Sequence, residues 1–550
     1  MRKWLSICLV ITLCAGIMSG CGNTEGNHTH GGNTAAENGG DSASAQKEIT
    51  VATNSESGGL DPSGMIAITY LAYSVSALDE LLTYDENGEM EYRGATSYDV
   101  NEDSTVWTFH LRKEAKWSDG SAVTAVDYLN TITRSLDPAC GNGYSNYLFP
   151  IQNAEVIYDG EKPMEELGVK ALDAYTLEFT LQTPCVYFLD LLRLPVYTPS
   201  CVKYADAVGS GWDKDPKTSL SNGPFCLTEY VPEQYFVLER NPYYWDEDKI
   251  SLDKITYRFF DDQQSMATAY ATGEVDVATA LPANIMEEYA GQEDLRVTEN
   301  IATRYIYPNL NNEVLRDVRV RKALTLAINR EELCDTVGAD TEETVNFIAK
   351  YMKNKATGNY YVEEADRPFT ENVEEARALL AEAGYQNGEG FPELTYNYPS
   401  LEQDSDTAQV LQQQWKQNLN IDIALSPQEL QVNYAERRAG NFELCRMNWT
   451  ADFADPYTYL SMLLSNSTYN CSGIKDAEYD KIVAASDVEQ NMEKRNELIH
   501  QAEQLAVGEA YYIIPLYTTK SCNLIRPSIQ NIRQIPASGA LEYRYATIVQ

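Results

Sequence analysis

The chain has 550 residues and carries 82 acidic against 42 basic side chains, a formal net charge of −40. A surface this acidic repels phosphate, which excludes nucleic acid as a partner; its reading is solubility and mutual repulsion outside a cell. No apolar run beyond the N-terminal segment is long enough to cross a bilayer, and the length predicts about two to four domains.

The N-terminal segment is the first feature with a defined meaning. Arg2 and Lys3 precede an apolar stretch from Leu5 to Met18, followed by Ser19, Gly20 and Cys21. Charge, apolar run and small residues in that order predict a signal for export over residues 1–20, too short for a permanent span. Cys21 is placed as in a lipobox, so its thiol is expected to take a diacylglycerol and become the new N-terminus; Met18 stands where such boxes usually carry Leu. Residues 21–47 then form a tether. Alanines are the only apolar residues after Cys21, too little to support a fold and suited to a flexible linker. His28 and His30 lie in it, but two histidines without a fixed ligand set make no metal site. Cys8 and Cys14 leave with the signal. The eight remaining cysteines, Cys140, Cys185, Cys201, Cys226, Cys334, Cys445, Cys471 and Cys522, contain no CxxC pair, which argues against structural zinc. Export permits disulfides, but the sequence does not pair these residues.

The body alternates strand and helix signals. Trp107, Phe109 and Leu111 alternate along one strand, and Leu177, Phe179 and Leu181 along another. Thr124 opens a helix with Asp127 in capping-box spacing. Asp317 caps a helix whose apolar face is Val320, Ala323, Leu324, Ala327 and Ile328; Asn372 starts a further one that Gly384 stops. Residues 393–450 are the most informative. Strands over Leu394–Tyr398, Ile421–Leu425 and Phe442–Trp449 alternate with helices over Thr407–Leu419 and Val432–Arg438. This βαβαβ order predicts an α/β fold with a parallel sheet and right-handed crossovers. Ligands of such folds bind beyond the carboxyl ends of strands; the first charged residue beyond Trp449 is Asp452.

Several segments, in order over nearly the whole body, resemble the peptide-binding, family 5 class of extracellular solute-binding proteins. They are LRKEAKWSDGSAVTAVDYLNTITRSLDP from Leu111, EKPMEELGVKALDAYTLEFTL from Glu161, SNGPFCLTEY from Ser221 and ERNPYYWD from Glu239. AYATGEVDVATALP follows from Ala269, PNLNNEVLRDVRVRKALTLAINRE from Pro308 and WTADFADPYTYL from Trp449. The resemblance implies a two-lobed, periplasmic-binding-protein-like fold with an additional inserted domain. One lobe would comprise 48–85, 200–302 and 511–550, the inserted domain 86–199 and the other lobe 303–510. A hinge is expected near Thr303–Tyr307 and Ile514–Thr518. It further implies a monomeric binding protein of an ABC-type importer, with oligopeptides and permease subunits as partners, no cofactor and no metal.

Among relatives of the oligopeptide-binding kind, the aspartate at the Asp452 position pairs with a peptide α-ammonium. Basic residues at the positions of Arg437 and Arg446 meet the peptide carboxylate. A closed cleft removes water, so a buried ammonium needs such a carboxylate, and a guanidinium fork suits a carboxylate. Arg446 falls on the last strand and Arg437 near the end of the short helix; in so acidic a chain each also has many structural partners, Glu443 among them. Trp449 belongs to the same segment. Main-chain pairing with strand edges would draw on Ser221–Gly223, which includes Asn222, and on Tyr144–Tyr147. Thr450 replaces the cysteine that relatives often place there, so their disulfide is not expected. Pro515-Leu516-Tyr517-Thr518-Thr519 departs from their Tyr-rich run, leaving cargo length and side-chain preference open. Rival cargoes are a dipeptide, a nickel chelate, haem, a sugar or a peptide pheromone. A hydrolase is the rival of another class. The body holds only His110 and His500, with no HExxH, GxSxG or phosphate loop. Ser472-Gly473-Ile474-Lys475 fits SxxK without its companion motifs, so no nucleophile with an oriented base is present.

Overall fold

The computed structural model describes residues 47–549 except 55–57, 65–67, 86–88 and 536–538. The signal, Cys21 and the tether up to residue 46 lie outside the described residues. Strand β1 (Glu48–Asn54) leads to helix α1 (Ile68–Ala77). The chain then leaves to build a separate antiparallel sheet. Its strands are β2 (Ala95–Val100), β3 (Val106–Leu111), β4 (Val169–Asp173) and β5 (Thr176–Thr180), in the order β2-β3-β5-β4. Helix α2 (Ala125–Ser135) begins where the capping box predicts: the Asp127 carboxylate accepts from the Thr124 N–H at 2.7 Å and from its hydroxyl at 2.9 Å. The inner face of this sheet buries Phe109, Leu177 and Phe179 in a core of its own with Trp117, Tyr128, Phe188 and Tyr197.

The chain returns through β6 (Phe225–Val231), β7 (Tyr235–Arg240), β8 (Lys254–Phe260), β9 (Val277–Leu281) and β10 (Leu295–Pro308). Helix α3 (Val318–Leu326) starts at Asp317, whose side chain accepts from the Arg319 N–H at 2.9 Å, and buries Val320, Ala323 and Leu324. Then come β11 (Leu394–Pro399), α4 (Glu402–Leu419), β12 (Ile423–Gln428), α5 (Leu430–Arg438) and β13 (Leu444–Thr450). Strand β11 pairs in parallel with both β12 and β13, giving the βαβαβ unit read from the sequence. Helix α4 starts five residues earlier than its apolar periodicity indicates. Glu402 and Asp404 occupy its first turn, where the helix dipole favours negative charge.

The last long strand, β14 (Ile514–Ile525), closes one sheet ordered β12-β11-β13-β10-β14-β9-β1-β8-β7-β6, with the short strand Thr341–Glu343 also against β14. The fold is thus α/β and two-lobed, and the two lobes share this sheet. Strands β10 and β14 run through both: Leu295–Thr298 pair with Ser521–Leu524 in one lobe, and Thr303–Ile306 with Ile514–Thr518 in the other. The register shifts between Glu299 and Thr303 and again between Arg304 and Tyr305. Such irregularities bend and twist a strand pair, and here they fall where the sheet passes between lobes. Strand β11 meets β13 only at Leu444 and Cys445. From Arg446 to Thr450 that edge of β13 has no strand partner among the described residues.

The C-terminal segment is fastened by buried charge. Arg544 donates to Asp79 at 2.6 Å and to Glu542 at 3.0 Å, and Arg93 pairs with Glu542 at 2.8 Å. Burial alone would raise the Glu542 carboxyl; Arg93, Arg544 and Arg533 instead hold it far below the usual carboxylate range. Arg544→Ala leaves the buried Asp79 carboxylate without its ion-pair partner, while Glu542 keeps Arg93 and Arg533; it should cost about 3–5 kcal/mol, read as a lower denaturant midpoint for the lobe that contains it.

Candidate ligand-binding site

Strand β13 ends at Thr450, and the chain turns at once into Asp452. The turn is anchored by the next acid along. Asp455 accepts from the Tyr457 N–H at 2.9 Å and holds the buried Arg495 at two points, 2.8 and 2.9 Å. Asp452, by contrast, reaches the inserted domain. Tyr144 donates to its Oδ1 at 3.1 Å, and Tyr147 donates to its Oδ2. The two tyrosines sit at the start of a 3-10 turn (Ser145–Leu148), where a spacing of three puts side chains on one face. The Tyr197 hydroxyl holds the turn by donating to the Tyr147 carbonyl at 2.8 Å.

Neighbouring contacts close the same interface. Phe453 is buried in the core of the inserted domain, stacked on Tyr187 at 5.2 Å and edge-on to Tyr147 at 5.7 Å. Tyr187 donates to Asp487 at 2.5 Å, and Asp190 pairs with Lys355. Asp452 also lies on the wall of a cavity of about 310 Å³, together with Tyr70 and Leu71 of α1 and Arg193 and Pro195 of the inserted domain.

The electrostatics of Asp452 set it apart. Burial pushes its carboxyl up to about 6, and the hydroxyls of Tyr147 and Tyr144 offset only part of that rise. Burial and the Asp452 charge in turn raise both tyrosines, which therefore stay protonated and donating. Among the described residues no cation pairs with it. A desolvated carboxylate without a counter-ion is costly, so the arrangement favours a cation from outside the chain.

The other site residues named from the sequence are placed differently. Arg446 is buried, and its Nε donates to Asp404 Oδ1 at 2.6 Å, the structural pairing that an acidic chain makes available, though with Asp404 and not Glu443. Glu443 instead accepts from Asn312 at 2.9 Å and from the Thr395 N–H at 2.7 Å. Arg437, at the end of α5, lies over the Tyr434 ring at 4.9 Å. Trp449 donates to Thr458 Oγ1 at 3.2 Å and meets the Tyr469 ring at 5.0 Å. None of the three lines the cavity with Asp452. Asn222 and Gly223, expected at a ligand-facing edge, are engaged within their own lobe. The Asn222 amide exchanges two 3.0 Å hydrogen bonds with the Asp79 backbone. Gly223 lies so close to the chain that a Cβ there would come 2.7 Å from the Ala77 carbonyl carbon. The Tyr144–Tyr147 segment does reach the site, through hydroxyls and not the expected main chain. Its pairing with Asp452 spans 305 to 308 residues, and no local pattern signals it. Ser472, the serine of the SxxK match, donates its hydroxyl to the Pro308 carbonyl. Cys185, Cys226, Cys334, Cys445, Cys471 and Cys522 are free thiols.

Residues 89–471 match the model of the bacterial extracellular solute-binding proteins, family 5. The chain belongs to this family. Its members are solute-binding proteins of transport and not enzymes. A periplasmic oligopeptide-binding protein OppA of Escherichia coli (strain K12) is 31% identical over 506 residues, covering 88% of this chain and 89% of the relative. Among solved structures, a periplasmic oligopeptide-binding protein from Borrelia burgdorferi is 29% identical with a TM-score of 0.79, covering 92% of this chain and all of the other. Listeria monocytogenes OppA bound to peptide is 26% identical with a TM-score of 0.78, over 92% of this chain and 100% of that one.

For a family 5 protein the site makes a pH-dependent prediction. The Asp452 carboxyl titrates near 6 when folded and near its ordinary lower value when unfolded, so its ionised form opposes folding above about pH 6. That opposition fades as the pH falls toward 4. Asp452→Asn should therefore stabilise the ligand-free protein at pH 7.5 by about 2 kcal/mol, after one tyrosine hydrogen bond is lost. Thermal unfolding should show this gain at pH 7.5 and none at pH 4.

Proposed function

We propose that this protein captures short peptides with a free α-ammonium in the cleft between its lobes and delivers them to the permease of an ABC-type importer. A lipid on Cys21 would hold it as a monomer at the outer face of the cell membrane. The observation that carries the reading is Asp452: a desolvated carboxylate on a cavity wall, bonded to two tyrosine hydroxyls and to no cation among the described residues. An ammonium supplies the missing charge, and its remaining protons can be met by the tyrosine oxygens. The edge of β13 from Arg446 to Thr450, without a strand partner among the described residues, supports main-chain pairing with an extended ligand. That mode reads backbone and tolerates varied side chains. The names of the relatives, which include oligopeptide-binding proteins and one solved with peptide bound, point the same way.

Native mass spectrometry of protein purified from cells should show a mixed family of co-purifying peptides; one defined cofactor would contradict the reading. In calorimetric titration, a peptide should bind at least about tenfold tighter than its N-acetylated twin, and Asp452→Ala should weaken the free-amine peptide by about tenfold or more, the usual effect of removing one partner from a buried charge pair. Equal binding of the two peptides would remove Asp452 as the ammonium anchor. Cys21→Ala should abolish metabolic labelling with palmitate and release the protein from the membrane fraction; continued labelling would disprove the anchor.

A further inference from the structure

The carboxylate end of the ligand needs a cation, and Arg446 already has a partner. The register of the sheet points to another. Arg304 on β10 stands directly opposite Asn448 of β13, and on its other side opposite Tyr517 of β14. Opposed residues in an antiparallel pair project from one face. Arg304 therefore shares a face with Asn448 and, one alternation either way, with Arg446 and Thr450. Thr450 lines the Asp452 cavity, so this face of β13 leads from the two arginines to the cavity wall.

At the far end the charges do not cancel locally. Arg446 is neutralised by Asp404 at 2.6 Å. Arg304 is half-buried, its Nε has no hydrogen-bond partner, and it forms no ion pair among the described residues. The acids that act on it are Asp404, engaged with Arg446, and Asp340, whose two oxygens accept from Gln403 Nε2 at 3.2 Å each. The Tyr517 hydroxyl is occupied with Thr407 Oγ1 at 3.0 Å. Burial and the like charge of Arg446 lower Arg304 to about 10, which leaves it fully charged at neutral pH. An arginine in a chain with a net charge of −40 has abundant acids to pair with, so one that reaches this face without an ion pair is a positioned donor.

We propose that Arg304 receives the C-terminal carboxylate of the bound peptide. The proposal rests on the peptide reading above, with Asp452 at the other end. A planar guanidinium offers two parallel donors to a carboxylate. Asn448, the residue across from Arg304, lies two residues before β13 ends and Asp452 two residues beyond its end, a separation that suits a short extended ligand.

Tri- and tetra-alanine, each as free acid and as C-terminal amide, test the assignment by calorimetric titration. The wild-type protein should bind the acids at least tenfold tighter than the amides. Arg304→Gln should lose most of that preference, and Arg304→Lys, which keeps the charge without the fork, should retain part of it. The readout is a ratio within one protein sample, so partial loss of folded material does not move it, and the lysine variant serves if the glutamine variant does not fold. An unchanged ratio in the variants overturns the role of Arg304. So does equal binding of acid and amide by the wild type, and if N-acetylation still weakens binding the Asp452 reading survives. Failure of every peptide to bind overturns both.

Discussion

A carboxylate shared between two parts of the molecule governs this structure. Asp452 belongs to the lobe built on β11, β12 and β13, yet both of its hydrogen-bond donors, Tyr144 and Tyr147, belong to the inserted domain. The tyrosines solvate the charge without neutralising it. On the peptide reading, closing the cleft over Asp452 desolvates an anion at a cost in free energy that an ammonium ligand would offset. A ligand shifts a conformational equilibrium only by its differential affinity for the two states. On that reading the difference would have a named source, because a cation gains most where water is excluded. Tyr187 with Asp487 and Asp190 with Lys355 add further contacts between the same two parts of the molecule.

The shared sheet makes such a site possible. Strands β10 and β14 pass through both lobes, and their ladder is interrupted at Glu299–Thr303 and Arg304–Tyr305. Interrupted pairing allows bending without loss of the flanking hydrogen bonds, so two lobes with separate cores can move about a covalent and hydrogen-bonded axis. Strand β10 carries Arg304 and lies beside β13. The hinge strand and the open edge of β13 are therefore neighbours in one sheet.

Arginine pairing shows why a motif alone does not assign roles. Arg446, Asp404, Arg304 and Asp340 occupy one neighbourhood, and which guanidinium stays unpaired depends on distances of a few ångström across two strands, a helix N-terminus and a turn. Arg446 follows the family pattern in sequence but is consumed by Asp404. Asn222 and Gly223 likewise lie in a segment with the family's signature and contact Asp79 and Ala77 of their own lobe.

Local and periodic features were readable from the sequence by itself. The capping residues Thr124, Asp127, Asp317 and Asn372, the alternating strand around Phe109 and the βαβαβ order over 393–450 all depend on neighbours within a few positions. The strand-end position of Asp452 follows from that order. Tertiary structure alone decided that Tyr144 and Tyr147 would meet Asp452 across 305 and more residues, that Asp404 would take Arg446, and that β11 would stop short and leave the β13 edge open. Backbone propensity is set by each residue and its near neighbours; charge pairing and desolvation are set by whatever the fold brings within hydrogen-bonding distance, and among 82 acidic and 42 basic side chains no sequence rule selects the partners.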